Sequence, residues 1–317
     1  MGEKVVKIDL LMVTHKPISY KIPDNCKKIQ VNCANTGEHW DGYIHDDDGE
    51  NISLKNPNYC ELTALYWAWK NSKADIVGLC HYRRFFTGSD RVLYHTFNLV
   101  TEKKLLQQGI TNEQIEEYLK ENDIIIGMPY APHPTPCYTI LCNYCYENDI
   151  AIMRDVIAQK FPDYLEACDE IFQDKNVSYF NMMICKKEFC DEYCRWLFAV
   201  LSEVEARVDL STYDIQHKRI YGYLAEILIN IYLCKNKVLI KYVRIAKYIA
   251  EMDEYSKFDY VKTLIYHGFE CFCRKTGLKA VSDCFYRIGR NEVYNRHYAC
   301  LEKMEKVRRY KDVKVED

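Results

Sequence analysis

Residues Asp75 to Phe86 read DIVGLCHYRRFF, an apolar run with a basic and aromatic ending. Ile76, Val77, Leu79 and Cys80 form a short apolar run of the kind found in a fully buried strand. The run ends abruptly in His81, Tyr82, Arg83 and Arg84. In open α/β sheets, ligands bind in the crevice outside the carboxyl ends of the strands. Two adjacent arginines placed there cannot be buried unpaired without a large desolvation cost. They face water, a carboxylate network or an anionic ligand, and their fork geometry suits phosphate. On the phosphate reading Arg83 and Arg84 neutralise a diphosphate and His81 donates to a phosphate or hydroxyl. The alternative is a buried network with Asp41, Asp46 or Glu61.

Upstream, Val5 to Thr14 (VVKIDLLMVT) is apolar and β-branched, a first strand that stops at His15-Lys16-Pro17. Lys28 to Asn32 is a short second strand, and a polar loop then runs to Cys60. Glu61 to Lys70 follows as a helix with Leu62, Leu65, Tyr66 and Trp69 on one face. Strand, helix and strand in this order predict a largely parallel sheet with right-handed crossovers. Downstream, Asn98 to Asn122 contains helix and Asp123 to Met128 is another buried strand. The segment from Pro129 to Pro136 carries four of the eight prolines and reads as a kinked loop. Helices are expected over Tyr144 to Ala158, Asp163 to Gln173, Glu188 to Val204 and Tyr221 to Leu233. Strands are expected over Ser178 to Cys185 and Lys237 to Arg244.

The chain has 317 residues, room for one large α/β domain with a helical appendage. Two parts are expected: a domain over residues 1–250, and a helical, basic, tyrosine-rich extension over 251–317. Tyr255 to Asp317 holds 14 Lys plus Arg against 9 Asp plus Glu, so an acidic body carries a basic tail. Such a tail could lie against an anionic membrane surface, or could be a solvated helix packed on the body. No basic segment followed by an apolar stretch opens the chain, so a reducing, cytoplasmic compartment is expected, with the 16 cysteines mostly free thiols. The Cys142/Cys145 and Cys271/Cys273 pairs lack second pairs at zinc-finger spacing.

No GxGxxG, Walker-type loop, GxSxG, HExxH or kinase catalytic loop occurs, which disfavours the chemistries those motifs serve. Asp46 and Asp48 form a DxD pair that could ligate a divalent cation, or simply shape an acidic turn. Asn181 is a polar residue in an apolar strand, where an unpaired amide would cost ~1–3 kcal/mol. It either anchors a ligand or satisfies neighbouring backbone. Glu226 falls among Tyr223, Leu224, Ile227 and Leu228, so its carboxyl is expected to be partly buried with a raised pKa, as in a general base. A salt bridge to Arg219 or Arg83 is the equal alternative. Asp214 lies just before the same helix.

Three blocks together carry a family resemblance: DDDGENISLKNPNYCELTALYWAWKN with ADIVGLCHYRRFF, then FNMMICKKEFCDEYCRWLF, then HKRIYGYLAEILIN. Over roughly Lys7 to Arg244 the chain resembles bacterial capsular and exopolysaccharide biosynthesis glycosyltransferases, a family long catalogued as a domain of unknown function. The resemblance implies a GT-A-like, Rossmann-type, mostly parallel sheet flanked by helices. It implies transfer of a hexose, with galactose in pyranose or furanose form favoured, from a UDP-sugar to a lipid-linked oligosaccharide, and no nucleic-acid partner. Many GT-A enzymes place a metal-binding DxD where HYRR stands here, so metal-independent transfer is expected, positive side chains doing the cation's electrostatic work. On this basis Thr14, His15, Lys16, Asn51, Ser53, Tyr59, Arg83 and Arg84 border the donor. Tyr82 and Asn181 border the acceptor, while His81, Asp214 and Glu226 are the catalytic candidates. The FNMMI strand is similar to an FNxG-type strand, with Met183 where that pattern has its second glycine-like position. Two rivals stand beside this expectation: a metal-dependent transferase using Asp46 and Asp48, and a non-catalytic scaffold of a polysaccharide assembly complex docked at the inner membrane face.

Overall fold

A computed structural model of the chain describes residues 5–88, 97–129 and 136–248. The basic extension, Cys271 and Cys273, and residues 130–135 of the proline-rich loop lie outside the described residues.

Ten strands form one sheet: β1 Ile8–Thr14, β2 Cys26–Gln30, β3 Ile44–His45, β4 Ile76–His81, β5 Arg84–Phe86, β6 Phe97–Val100, β7 Ile124–Gly127, β8 Met183–Lys186, β9 Ile240–Val243 and β10 Ile245–Tyr248. Strand β1 lies between β2 and β4, parallel to both, and β3 extends β2 in parallel. Beyond β4 comes β8, antiparallel to both β4 and β7, and then β9, parallel to β7. A second branch leaves the end of β4 as β5, β10 and β6.

The sheet is largely parallel, as expected, with five of its nine described pairings parallel, and β5 and β8 enter it antiparallel. Strands buried on both faces are continuous apolar runs whichever way they point, so the FNMMI run did not encode its direction. Side chains alternate between two cores. Leu11 and Val13 of β1 face one core, and Leu10 and Met12 the other. The first core is covered by helices Leu62–Asn71, Glu147–Lys160, Leu165–Gln173, Lys187–Glu205 and Ile220–Lys235. The second packs under Asn112–Glu121, whose start is fixed by a Thr111/Gln114 capping box.

Two strands differ from expectation in extent. Ser178 to Met182 is not strand, because Phe180 and Asn181 take φ of 84° and 49° and only Met183 onwards pairs with β4 and β7. The run Lys237 to Arg244 shortens to the single strand Ile240–Val243. The chain breaks at Arg244, where β9 stays with β7 and β10 crosses to β5. The 12 described cysteines are free. Among the described residues no helix is long and apolar enough to cross a membrane.

Candidate functional site

His81 ends β4, Tyr82 and Arg83 make a two-residue turn, and Arg84 begins β5 opposite His81. Main-chain bonds pin this hairpin on both flanks, from Tyr82 N to Val13 O (3.0 Å) and from Tyr248 N to Arg83 O (3.0 Å). The two arginines consequently part company. Arg83 is exposed, its guanidinium 4.9 Å above the Tyr82 ring. Arg84 turns inward over the Phe180 ring at 4.4 Å, where its Nη1 meets His81 Nδ1 at 3.2 Å. Its Nε is buried without a hydrogen-bond partner, and no carboxylate lies within 4 Å among the described residues. His81 Nε2 lies against the Phe180 main chain without reaching hydrogen-bond geometry. Burial, Arg84 and Arg83 together push the His81 imidazole down to about 3, so it is neutral near pH 7.

Facing this hairpin is the first turn of the helix Ile220–Lys235. Arg219, Tyr223 and Glu226 recur at helical spacing along one face. Glu226 lies deep in the protein yet keeps part of its surface within reach of water. Burial and the neighbouring Glu61 push its carboxyl up to about 8, against the opposing pull of Arg84. Glu61 is held from the other side: Asn181 Nδ2 donates to its Oε1 at 2.7 Å and to Gly222 O at 2.9 Å. The left-handed backbone at Phe180 and Asn181 aims this amide between helix and carboxylate. Arg219 donates from Nε to Cys60 Sγ at 3.2 Å and lies 5.4 Å from the Tyr223 ring centre.

The end of β1 closes the crevice. Thr14 Oγ1 donates to Lys16 O at 2.6 Å and accepts from Lys16 N at 3.2 Å, a turn that presents His15 and Lys16 to the Tyr82 ring. Burial, then Lys16, Arg83 and Arg219, lower the His15 pKa. On β10, Lys247 is depressed to about 8 by burial and by Arg84 and Arg83.

Of the expected site residues, His15, Lys16, His81, Tyr82, Arg83, Arg84, Asn181 and Glu226 converge here. Others have their polar atoms committed to the fold. Both oxygens of Asp46 are taken by Asn32 N, Cys33 N, Ser53 Oγ and Thr63 Oγ1, at 2.6–3.1 Å. Ser53 is fully buried in that network. Asp48 is mostly exposed, 3.7 Å from His45. Asn51 bridges the Asp47 and Gly49 carbonyls, and the buried Tyr59 donates to Glu205 at 3.0 Å. Asp214 pairs with His217 at 2.8 Å in the turn before the helix. The alternative of a salt bridge from Glu226 to Arg219 or Arg83 does not form among the described residues. Arg84 is its foremost cationic neighbour, and no cation comes within 4 Å of it among the described residues.

Glu61, Cys60, Arg219 and Lys247 join the site without having been singled out for a chemical role. Glu61 had a signal, a carboxylate opening an apolar helix. Lys247 had none, because only the crossing of β10 brings it here.

The profile of a family described as a domain of unknown function (DUF4422) matches residues 9–237. No curated protein matches the chain. A solved structure, described as the apo form of the WbbM bifunctional glycosyltransferase, is similar at 28% identity with a TM-score of 0.69. The likeness covers 76% of this chain and 45% of that one, so this chain spans less than half of that protein's length.

Proposed function

The chain belongs to the DUF4422 family, and from that premise we propose that it is a glycosyltransferase that uses a nucleotide-diphosphate sugar, with UDP as the nucleotide. The bifunctional glycosyltransferase it resembles supports transfer as the activity. The observation that carries the site assignment is Arg84: a guanidinium brought inside the protein, its Nε unpartnered and no ion pair formed among the described residues, beside a second, exposed arginine. Such a group is costly unless something anionic completes it. A diphosphate is dianionic or more, pairs of its oxygens can take the fork bidentately, and the carboxyl end of β4 is where such sheets hold ligands.

In the proposed reaction an acceptor hydroxyl oxygen attacks the anomeric carbon of the bound sugar. The bond from that carbon to the β-phosphate oxygen breaks, and its electron pair leaves with the diphosphate. Arg83, Arg84, Lys16 and Lys247 meet the charge that grows there, so no divalent cation is required. Glu226 takes the hydroxyl proton, its raised pKa matching a base that works near neutral pH. Neutral His81, hydrogen-bonded to Arg84, fixes that guanidinium. Tyr82 and Asn181 border the acceptor, which on this reading is a lipid-linked oligosaccharide of capsule, exopolysaccharide or O-antigen synthesis. The preferred donor sugar is galactose, and the extension over 251–317 meets the cytoplasmic membrane face.

The test is a panel of nucleotide sugars scored for hydrolysis and thermal stabilisation, followed by calorimetric titration of UDP. Wild-type protein is expected to bind UDP, and Arg83→Ala to lose most sugar transfer while staying folded. Wild-type transfer by Arg83→Ala removes the phosphate role. A protein that binds no nucleotide at all returns the scaffold reading.

A further inference from the structure

We propose that Cys33, His39 and Asp47 form a zinc site that clips together the loop following β2. The site lies outside the transfer crevice and does not depend on the reading of it. One thiol, one imidazole and one carboxylate oxygen, from three separate points of the loop, lie within 4.8 Å of one another. Tetrahedral zinc bound to sulfur, nitrogen and oxygen sets its ligand atoms roughly 3.3–3.8 Å apart, so the cluster needs to contract by only about 1 Å.

The surrounding structure holds these donors in place from behind. Gln30, buried at the end of β2, donates through Nε2 to Glu38 O at 2.7 Å and accepts from Trp40 N at 2.8 Å, which fixes both neighbours of His39. His39 Nε2 already meets the two Asp47 oxygens at 2.9 and 3.1 Å. Cys33 is anchored by its own main chain, whose N–H donates to Asp46 at 3.1 Å, while its thiol makes one weak contact to Gln30 O at 3.5 Å. Between these points the loop has little regular structure of its own: a four-residue helix Cys33–Thr36, left-handed glycines at 37 and 42, and the two residues of β3. A metal clip here closes a loop that hydrogen bonds alone hold, and it gains stability by restricting the unfolded chain.

The donor set selects the ion. Magnesium and calcium take oxygen ligands, whereas a thiol, an imidazole and a single carboxylate suit zinc. On binding, the dication displaces the Cys33 thiol proton to solvent, the thiolate binds, and His39 binds through neutral Nε2. Three protein ligands leave the fourth position to water.

The test uses the full chain, stripped with a chelator and dialysed against zinc, with bound metal counted by atomic emission. Wild-type protein is expected to retain one equivalent and to melt at higher temperature with zinc than without. Cys33→Ser and His39→Ala should each lose that equivalent and the zinc-dependent shift. Cobalt substitution should give a thiolate charge-transfer band that Cys33→Ser abolishes. His39 is half exposed, so its variant folds even if the buried Cys33 proves sensitive. Wild-type protein that binds no zinc, or variants that keep the same stoichiometry on other cysteines, overturns the site. Neither result touches UDP binding, which is measured separately.

Discussion

Glu226 and Arg84 each pay for their place in the fold, and in opposite ways. The Glu226 carboxyl, pushed up to about 8 by burial and by Glu61, is mostly protonated in the folded chain near pH 7 and ionised in the unfolded one. Stability therefore falls as pH rises from the ordinary carboxylate range toward about 8, because unfolding releases a proton. Glu226→Gln removes that penalty. Its melting temperature should exceed wild type by a margin that grows between about pH 5 and about pH 8. The same substitution should lower turnover by about a hundredfold or more and flatten the rise of rate with pH. A margin that shrinks with pH, followed by thermal melts, contradicts the buried carboxyl. For Arg84, replacement by methionine keeps the stem against Phe180 and deletes a buried charge that forms no ion pair among the described residues. Melting temperature should hold or rise while calorimetry finds UDP binding lost. Stability that falls by more than about 3 kcal/mol means that Arg84 was internally paired after all.

At the scale of elements, β4 is squeezed between β1 and β8, and Gly78 marks the pinch. A Cβ there would lie 2.8 Å from Leu10 Cδ1, 2.9 Å from Ile184 Cγ1 and 3.2 Å from Met183 O. Gly78→Ala should destabilise by about 1–3 kcal/mol, since two of these neighbours belong to packed strand interiors. Chemical denaturation measures it, and an unchanged midpoint would show that β4 and β8 can part. The site hangs from this pinch, because β4 carries His81 and the approach to β8 carries Asn181. Much of it was legible from sequence. The run DIVGLC could only be a buried strand, its basic ending had to lie at the strand's carboxyl end, and Glu226 stood out as a carboxylate among apolar neighbours. What stayed hidden was direction and long-range approach. An apolar strand reads alike up or down, so β8 was placed but not oriented. The left-handed turn at Phe180 and Asn181 is imposed by tertiary bonds to Glu61 and Gly222, not by local propensity. Lys247 reaches the crevice only because the chain breaks at Arg244 and changes neighbours.

For the whole molecule, the balance of charge inside the crevice runs against that of the chain. The sequence carries a net charge of -3, with the acidic excess in the body. Among the described residues, Lys16, Arg83, Arg84, Arg219 and Lys247 nevertheless gather around two carboxylates, Glu61 and Glu226. Histidine adds nothing to this field near pH 7, because His15 and His81 are both pressed toward the neutral form. The field therefore rests chiefly on the arginines, which stay charged, while Lys247, depressed to about 8, adds to it below that pH, and such a field favours a polyanion in an otherwise acidic protein. Its strength should show in three linked titrations. UDP should bind more tightly than UMP, uridine should bind far more weakly than either, and the UDP affinity should fall steadily as sodium chloride rises. Saturating UDP should raise the melting temperature by the amount its affinity dictates, with or without EDTA. If EDTA abolishes both the affinity and the shift while added magnesium or manganese restores them, a bound cation rather than the guanidinium pair is meeting the diphosphate. An affinity indifferent to salt would place the nucleotide away from β4 altogether.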